Sequence, residues 1–501
     1  PVNEQVERRA GQLGESMKTK PSSRLNRLIC VLLCLVVLFA APAHRASAAG
    51  NRYYVRGNGG SDSNNGTSWT QAFKNLQKAL TTASQGDEIW VAAAVYYPDN
   101  GGPYPLDSRD SKFILINNLK VYGGFAGTES DLSQRNLDAN PTILSGDVDN
   151  NDVNGDGDFI ANTVNDLVGA NAYHVVVASG TSSATVLDGF IITAGQADSN
   201  NASDGQGAGL FSYNGSPTLR NLTFQGNSAL LGGGIYSQDS QLTASNIRFI
   251  NNDAQNAGGG WWNQGESSLA GGLFSGNRAG TAGGGMMVQG TSTQGGPSLV
   301  NVTFTANLAS NGAGLANDGS NFSLSKTNFG INAATVRGGG MDSQGAGSPT
   351  LSEVAFNSNS AANGGGIATS AGSNPSLTLV NFNANQASFG AGMQNDGTSP
   401  TLFSNTFSAN VATNGGGGMM NINGAAPVIE MSTFSGNQAD TGGGMYDYNS
   451  NPVIKNVDFL NNIATSSVIG GGGMLNYSSS PSLRRVKFIG NQANSGAGGG
   501  I

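Results

Sequence analysis

Apolar and polar positions in this chain repeat over a period longer than any single helix or strand. The pattern Phe-x-x-Asn-x-Ala first stands within Asn221–Ala229 and occurs eleven times in all. Its phenylalanines are Phe224, Phe249, Phe274, Phe304, Phe329, Phe356, Phe382, Phe407, Phe434, Phe459 and Phe488, 25 to 30 residues apart. Its asparagines are Asn227, Asn252, Asn277, Asn307, Asn332, Asn359, Asn385, Asn410, Asn437, Asn462 and Asn491. Ten repeats have Leu or Ile five residues before the Phe, with Ala244 the exception, and eight have Pro seven residues before it. Self-similarity at this period marks a stack of supersecondary units, none of which can bury its apolar face alone.

One period, Pro427–Asn451, shows what each unit is. Pro427-Val428-Ile429 opens a strand, where proline costs no ladder donor. Met431–Phe434 alternates so that Phe434 points inward. Gly436–Ala439 and Gly442–Gly444 turn the chain, and Met445–Tyr448 is a third strand. Helical patterning is absent, which excludes tetratricopeptide and ankyrin repeats, and the Leu-x-x-Leu-x-Leu frame of leucine-rich repeats is absent too. The expected fold is therefore all-β: a parallel β-helix solenoid with three short strands in each coil of about 25–30 residues. Stacked at about 4.8 Å, the Phe column becomes an aromatic stack and the Asn column a structural ladder, hydrogen-bonded amide to amide. The Gly triplet allows positive φ at a tight corner.

The chain leads into this array in stages. Residues 49–111 read as a cap: a strand at Tyr53–Val55, a helix from Trp69 to Ser84 N-capped by Ser68, and a strand at Glu88–Val91. The helix carries Phe73, Leu76, Ala79, Leu80 and Ala83 on one face, suited to covering the open end of the first coil. Residues 112–208 read as irregular first coils with an acidic loop, and 209–501 as the regular repeats. Gly498–Ile501 opens another strand without a terminal cap, so the sequence reads as part of a longer chain.

Composition narrows the class. Glycine is 76 of 501 residues and charged residues are only 11%, yet eleven repeats in register exclude a disordered low-complexity chain. The formal charge of −8 argues against nucleic acid as a partner, since phosphate binding needs a basic footprint. Both cysteines, Cys30 and Cys34, lie in an apolar run, Leu28–Ala41, that follows Lys18, Lys20, Arg24 and Arg27 and precedes Ala46-Ser47-Ala48. Residues 1–48 thus read as an upstream extension plus a secretory signal peptide, starting at Met17 and cleaved after Ala48.

The pairing of F-x-x-N with a following G-G-x-hydrophobic resembles the passenger repeats of the chlamydial polymorphic outer membrane proteins. The resemblance spans 209–501 closely and 51–200 loosely. Here the second motif is Gly-Gly-Gly-Ile at 232–235 and 364–367, Gly-Gly-Gly-Met at 283–286, and Gly-Ala-Gly-Leu at 312–315, where that family usually has G-G-A-I. The resemblance implies a right-handed β-helix displayed at a cell surface, several relatives being adhesins, with a membrane anchor outside this segment. It makes the expected partner a protein or glycan on a host or neighbouring cell, met by a monomer.

Candidate chemistry is sparse. Asp147, Asp149, Asp152, Asn154, Asp156 and Asp158 form an acidic cluster in which Asp152, Asn154, Asp156 and Gly157 match D-x-N-x-D-G, the first half of a calcium loop. The twelfth position is Thr163 and not Glu, so an EF-hand is not expected. Calcium is the ion this loop would take; a solvated acidic loop is the alternative, and no cofactor is required. Acids in the regular repeats are dispersed and form no pair of the kind glycoside hydrolysis needs, and His174 reads as a strand-edge residue. No catalytic residue is nominated. Tyr236, Trp262, Tyr446 and Tyr448 lie in the third strand after the Gly triplets, the first three at a position whose occupants vary freely, so they read as an outward ligand face for sugar rings or a protein surface. Two functions compete: a non-catalytic adhesin-like or structural rod, and a carbohydrate-binding or polysaccharide-degrading β-helix.

Overall fold

Within one coil the chain alternates short extended segments with residues that turn it. In the computed structural model the coil beginning at Pro427 runs Val428–Glu430, Thr433–Ser435, Gln438–Ala439 and Met445–Tyr448. Met431, Gly436, Gly442 and Asn449 stand between and after these segments, with φ of 53°, 60°, 61° and 49°. Coils from Thr218 to Asp318 have the three strands expected, the first being eight residues long, as in Thr218–Gln225; from Ser323 onward that first strand is divided in two, as here. Gln438–Ala439, which reads as part of a turn, is a strand of its own. The first two segments lie in one sheet bent at the left-handed residue, so three sheets wrap the core. They hold 25, 12 and 13 strands, all named strand pairs being parallel. The molecule is a right-handed parallel β-solenoid of about 11 turns with almost no helix. The structure describes residues 50–201, 203–290, 295–494 and 498–501. The expected signal peptide and its cleavage site lie outside the described residues.

Columns of like residues fill the interior. Adjacent phenylalanine rings from Phe224 to Phe488 stack with centroids 4.4 to 5.4 Å apart and planes within 12° of parallel. The asparagine column is fully buried from Asn227 to Asn462. Asn252 shows the arrangement: its Nδ2 donates to Phe224 O at 2.9 Å and to Asn277 Oδ1 at 3.0 Å. Its Oδ1 accepts from the backbone N and the Nδ2 of Asn227. The same bonds join the column through Asn307, Asn332, Asn359, Asn385, Asn410 and Asn437 to Asn462 and Asn491.

A second polar column runs inside the third sheet, two residues after each inward Ile, Trp, Leu or Met. Ser237 Oγ donates to Asn263 Oδ1 at 3.0 Å, and Asn317 Nδ2 to Ser343 Oγ at 3.0 Å. Thr369 Oγ1 donates to Asn395 Oδ1 at 2.9 Å, and Asn395 Nδ2 to Asn421 Oδ1 at 2.8 Å. Val288 interrupts it. The Gly triplet has two reasons behind it. Gly258 takes φ of 71°. Gly260 sits so close to the next coil that a Cβ there would lie 2.6 Å from Gly285 O and 2.9 Å from the Phe274 ring.

The cap departs from expectation at its helix. Ser68 does cap, its side chain accepting from Gln71 N, but the turn is a 3-10 helix of three residues, Trp69–Gln71. The α-helix is the separate Leu76–Thr82. Phe73 breaks the run because it bridges the first strand: its N–H donates to Tyr54 O and its carbonyl accepts from Arg56 N. Asp62 Oδ1 then receives the N–H groups of Lys74 and Asn75. Leu76, Ala79 and Leu80 still close the end of a core shared by cap, irregular coils and repeats.

Two stability predictions follow from these columns. Replacing Asn359 with Ala strips partners from the Asn332 N–H, the Phe329 carbonyl and Asn385 Oδ1. Urea unfolding should show a loss of about 3 kcal/mol, given about 1–3 kcal/mol for each buried polar group left unpaired. The exposed Asn256, outside the ladder, should tolerate Ala with little change. Asn449 is no such control, because its φ of 49° makes Ala costly there in its own right. Ile331 is a β-branched residue at φ 50°, with 60% of its surface exposed. Ile331→Gly should therefore stabilise the rod by about 1 kcal/mol, the strain relieved being about 1–2 kcal/mol less the entropy glycine adds to the unfolded chain. An unchanged or lowered melting temperature would refute the strain.

Candidate functional site

Much of the acidic loop's side-chain hydrogen bonding is local. Asn154 Oδ1 accepts from Phe159 N at 2.9 Å, Asp156 Oδ2 from Asn162 Nδ2 at 2.7 Å, and Asp158 Oδ1 from Ile160 N at 2.9 Å. Asp152 faces the other way, its Oδ1 accepting from Val168 N at 2.6 Å and Asn171 Nδ2 at 3.1 Å. The D-x-N-x-D-G side chains thus accept from separate turns, while Asp149 Oδ1 and Asp152 Oδ2 are buried without a hydrogen-bond partner. Among the described residues no group of three or more His, Cys, Asp or Glu side chains is placed to hold a metal ion. Asp147 and Asp149 pack beside Asp152, Asp147 accepting from Asn151 N and Asp149 from Ala170 N. Burial pushes Asp152 up to about 6; hydrogen bonds from Val168 and Asn171 oppose this, and the neighbouring carboxylates reinforce it. Burial raises Asp147 as well. His174 is buried, its Nδ1 is 3.2 Å from Gly207 O, and burial lowers it to about 4.

The aromatic face is corrected in its first half. Tyr236 and Trp262 are only 3% and 9% exposed. They point away from the core, but corner residues at the end of the second sheet roof them: Leu231, Ala257 and Ala282 pack with Tyr236, Trp262 and Met287 in a small outer cluster. Phe211, Tyr236 and Trp262 stack within it at 5.6 and 4.5 Å. The roof and the position beneath it change together along the rod. Arg337 pairs with Asp342 at 3.2 Å, Gln394 bonds Asn363 at 3.2 Å, and Gly415 makes room for the Tyr446 ring. Tyr446 is half-buried and Tyr448 is exposed, stacked on Tyr477 at 5.4 Å.

What the sequence reading missed is a groove of about 730 Å³ on the outside of the bent sheet. Its floor follows the bend, where Gly189, Asn221, Asn246, Gly271 and Asn301 all have positive φ. Arg248, Thr223, Thr303 and Leu273 project beside them, and the loop residues Leu137, Asp138 and Pro141 wall one side. Glycine at 189 is favoured by its φ of 86°, and Leu137 Cδ2 is seated where a Cβ would come within 2.7 Å. A hydrogen-bond chain stiffens the floor. Asn246 Nδ2 donates to Asn221 Oδ1 at 3.1 Å, and Asn221 Nδ2 donates to Asp188 Oδ1 at 2.8 Å. Arg135 Nη2 holds Asp188 Oδ2 at 3.1 Å, both side chains being largely buried. Exposed Arg248, Asp138, Asn246 and Asn301 thus present a cation, an anion and carboxamides over a fixed base.

No family model matches this chain, and no curated protein matches it. Among solved structures it is similar to pectate lyase Pel9A, at 13% identity over 72% of this chain and 76% of that one, with a TM-score of 0.35. It is similar to the A-module of the Azotobacter vinelandii mannuronan C-5 epimerase AlgE6, at 12% identity over 83% and 93%, with a TM-score of 0.35. It is also similar to XylC in complex with xylose, at 10% identity over 87% and 86%, with a TM-score of 0.37. At this level of likeness no activity, substrate or residue role passes from them to this chain.

Asp188→Ala should cost about 3 kcal/mol or more in a urea melt, because it leaves the Arg135 guanidinium buried without its partner and frees Asn221 Nδ2. A loss below about 1 kcal/mol would show that the pair does not anchor the groove floor.

Proposed function

We propose that this chain is the binding portion of an exported surface or secreted protein, an adhesin-like rod that holds a glycan in the groove beside Arg248 without cleaving it. The observation that carries the reading is the lining of the groove. It combines one exposed guanidinium, one exposed carboxylate, carboxamides and threonines with the apolar Leu273, Leu137 and Pro141. Hydroxyl-rich rings need this mixture of donors, acceptors and apolar surface, and the volume lies in the range of small-ligand sites. Hydrolysis of a glycosidic bond calls on two carboxylates across the bond, whereas the lining holds Asp138 alone. The signal-like residues before Ala49 and the resemblance to surface-displayed passenger repeats support export.

Arg248→Ala should weaken glycan binding about tenfold or more, the worth of a hydrogen bond to a charged group being about 1.5–3 kcal/mol. The measurement is calorimetry on the best ligands from a panel of neutral and acidic oligosaccharides, with the same samples assayed for new reducing ends and unsaturated products. Cleavage products, absence of binding across the panel, or unchanged affinity in the variant would each overturn the reading.

A further inference from the structure

The polar column inside the third sheet reaches a carboxylate. Asp447 lies in register between Asn421 of the preceding coil and Asn476 of the next. It is fully buried. Asn421 Nδ2 donates to its Oδ1 at 2.7 Å. Its Oδ2 is buried without a partner, and so is Oδ1 of Asn476. Upstream the column hands its hydrogen bonds along in one direction, Asn395 to Asn421 and Asn421 to Asp447. An asparagine at 447 would continue the series from its Nδ2. An ionised aspartate has only acceptors, and two orphaned acceptor oxygens on neighbouring strands would remain in a dry interior. A carboxylic acid has one O–H, and Asn476 Oδ1 is the acceptor it needs.

We propose that the folded rod binds a proton at Asp447, whose neutral carboxylic acid donates from Oδ2 to Asn476 Oδ1 and carries the column into the next coil. Burial acts in the same direction, pushing this carboxyl up to about 7 against the single hydrogen bond from Asn421. The ionisable groups on the surrounding elements are Tyr446 and Tyr448 on its own strand and Tyr477 on the next. Across the core stand Glu430, Lys455, Asp458, Arg484, Arg485 and Lys487, and Asp440 stands at the corner. All are half-buried or exposed; Glu430 pairs with Lys455 and Asp458 with Lys487. Burial and the Asn421 hydrogen bond set the direction at the Asp447 carboxyl.

The sign follows from linkage. An unfolded aspartate loses its proton near pH 3.9, and the folded one keeps it to about 7. Between those values the folded state binds the extra proton, so stability falls as pH rises through the window and levels off above it. The coil holding Met474–Tyr477 is thus bound to the rod more firmly in acid than at neutral pH and above.

The test pairs Asp447→Asn with a carbon-13 titration of the Asp447 carboxyl in the unsubstituted protein. The carboxyl should titrate near 7. Thermal melts at pH 5 and pH 8 should show a loss in the unsubstituted protein that the Asn variant largely escapes, its amide supplying the missing donor at every pH. A carboxyl that titrates near 4 would mean that Asn476 is turned over to donate to an ionised Asp447, and it would overturn the proposal. Equal pH dependence of the two proteins would do the same. Should the variant not fold, the titration decides alone.

Discussion

A coil of this rod is one layer deep, so a buried polar group finds its partner in the coil above or below. That constraint shapes everything inside. Each asparagine of the ladder uses one amide for three tasks: it bonds the next asparagine, takes the preceding backbone N–H, and returns a donor to a phenylalanine carbonyl one coil back. Buried hydrogen bonds arranged in a chain polarise one another, and the same low dielectric makes any gap expensive. Glycine belongs to the same constraint. Coils 4.8 Å apart leave no room for a Cβ where the third glycine of each triplet faces the next coil.

Repetition made the core legible in the sequence. A Phe, an Asn and an Ala at fixed offsets must stack on their own copies, so the period alone yields the coil, the aromatic column and the asparagine column. Geometry within a coil was less legible. Met431, Leu379 and Ile331 take left-handed φ although nothing in their chemistry favours it; their columns contain Asn and Gly in other coils, and the stack imposes one backbone on all. The helix expected across Trp69–Ser84 broke at Phe73 because pairing with the first strand outweighed helical spacing. Tyr236 and Trp262 varied as exposed positions do, yet the variation was compensation: the residue overhead changed with them, from Leu231 and Ala257 to Arg337, Asn363 and Gly415. Periodicity reports what stacks along the axis, whereas these contacts run around the corner between two sheets.

The groove was beyond reach for a related reason. Its residues come from successive coils and from a loop that belongs to no repeat. The repeats supply a flat, stiff floor of carboxamides, and the irregular coil supplies the wall and the buried Arg135–Asp188 pair beneath it. The regular face is shallower, its depression beside Leu377, Leu402 and Val428 measuring about 180 Å³. Concavity arises where a non-repeating segment meets the array, with Leu137 seated over Gly189. The groove of about 730 Å³ therefore lies near the first coils, although most of the rod's surface belongs to the repeats.

The two interior polar columns answer different needs. Eleven identical asparagines would accept any coil as a neighbour, so the ladder fixes spacing but not order. The second column is mixed: Ser237 meets Asn263, Asn317 meets Ser343, Thr369 meets Asn395 and Asn421 meets Asp447. A slip by one coil would set Val288 against hydrogen-bonding neighbours that differ from its own and leave side chains of unequal length and donor count facing each other. The corner pairs add to this, since Trp262 under Arg337 or Tyr446 under Phe389 would clash or strand a charge. In a repeat protein whose units are nearly interchangeable, register must be written into the positions that do not repeat. Buried Asp447 occupies such a position, and a proton there satisfies the column at a site where the asparagine ladder would have needed none.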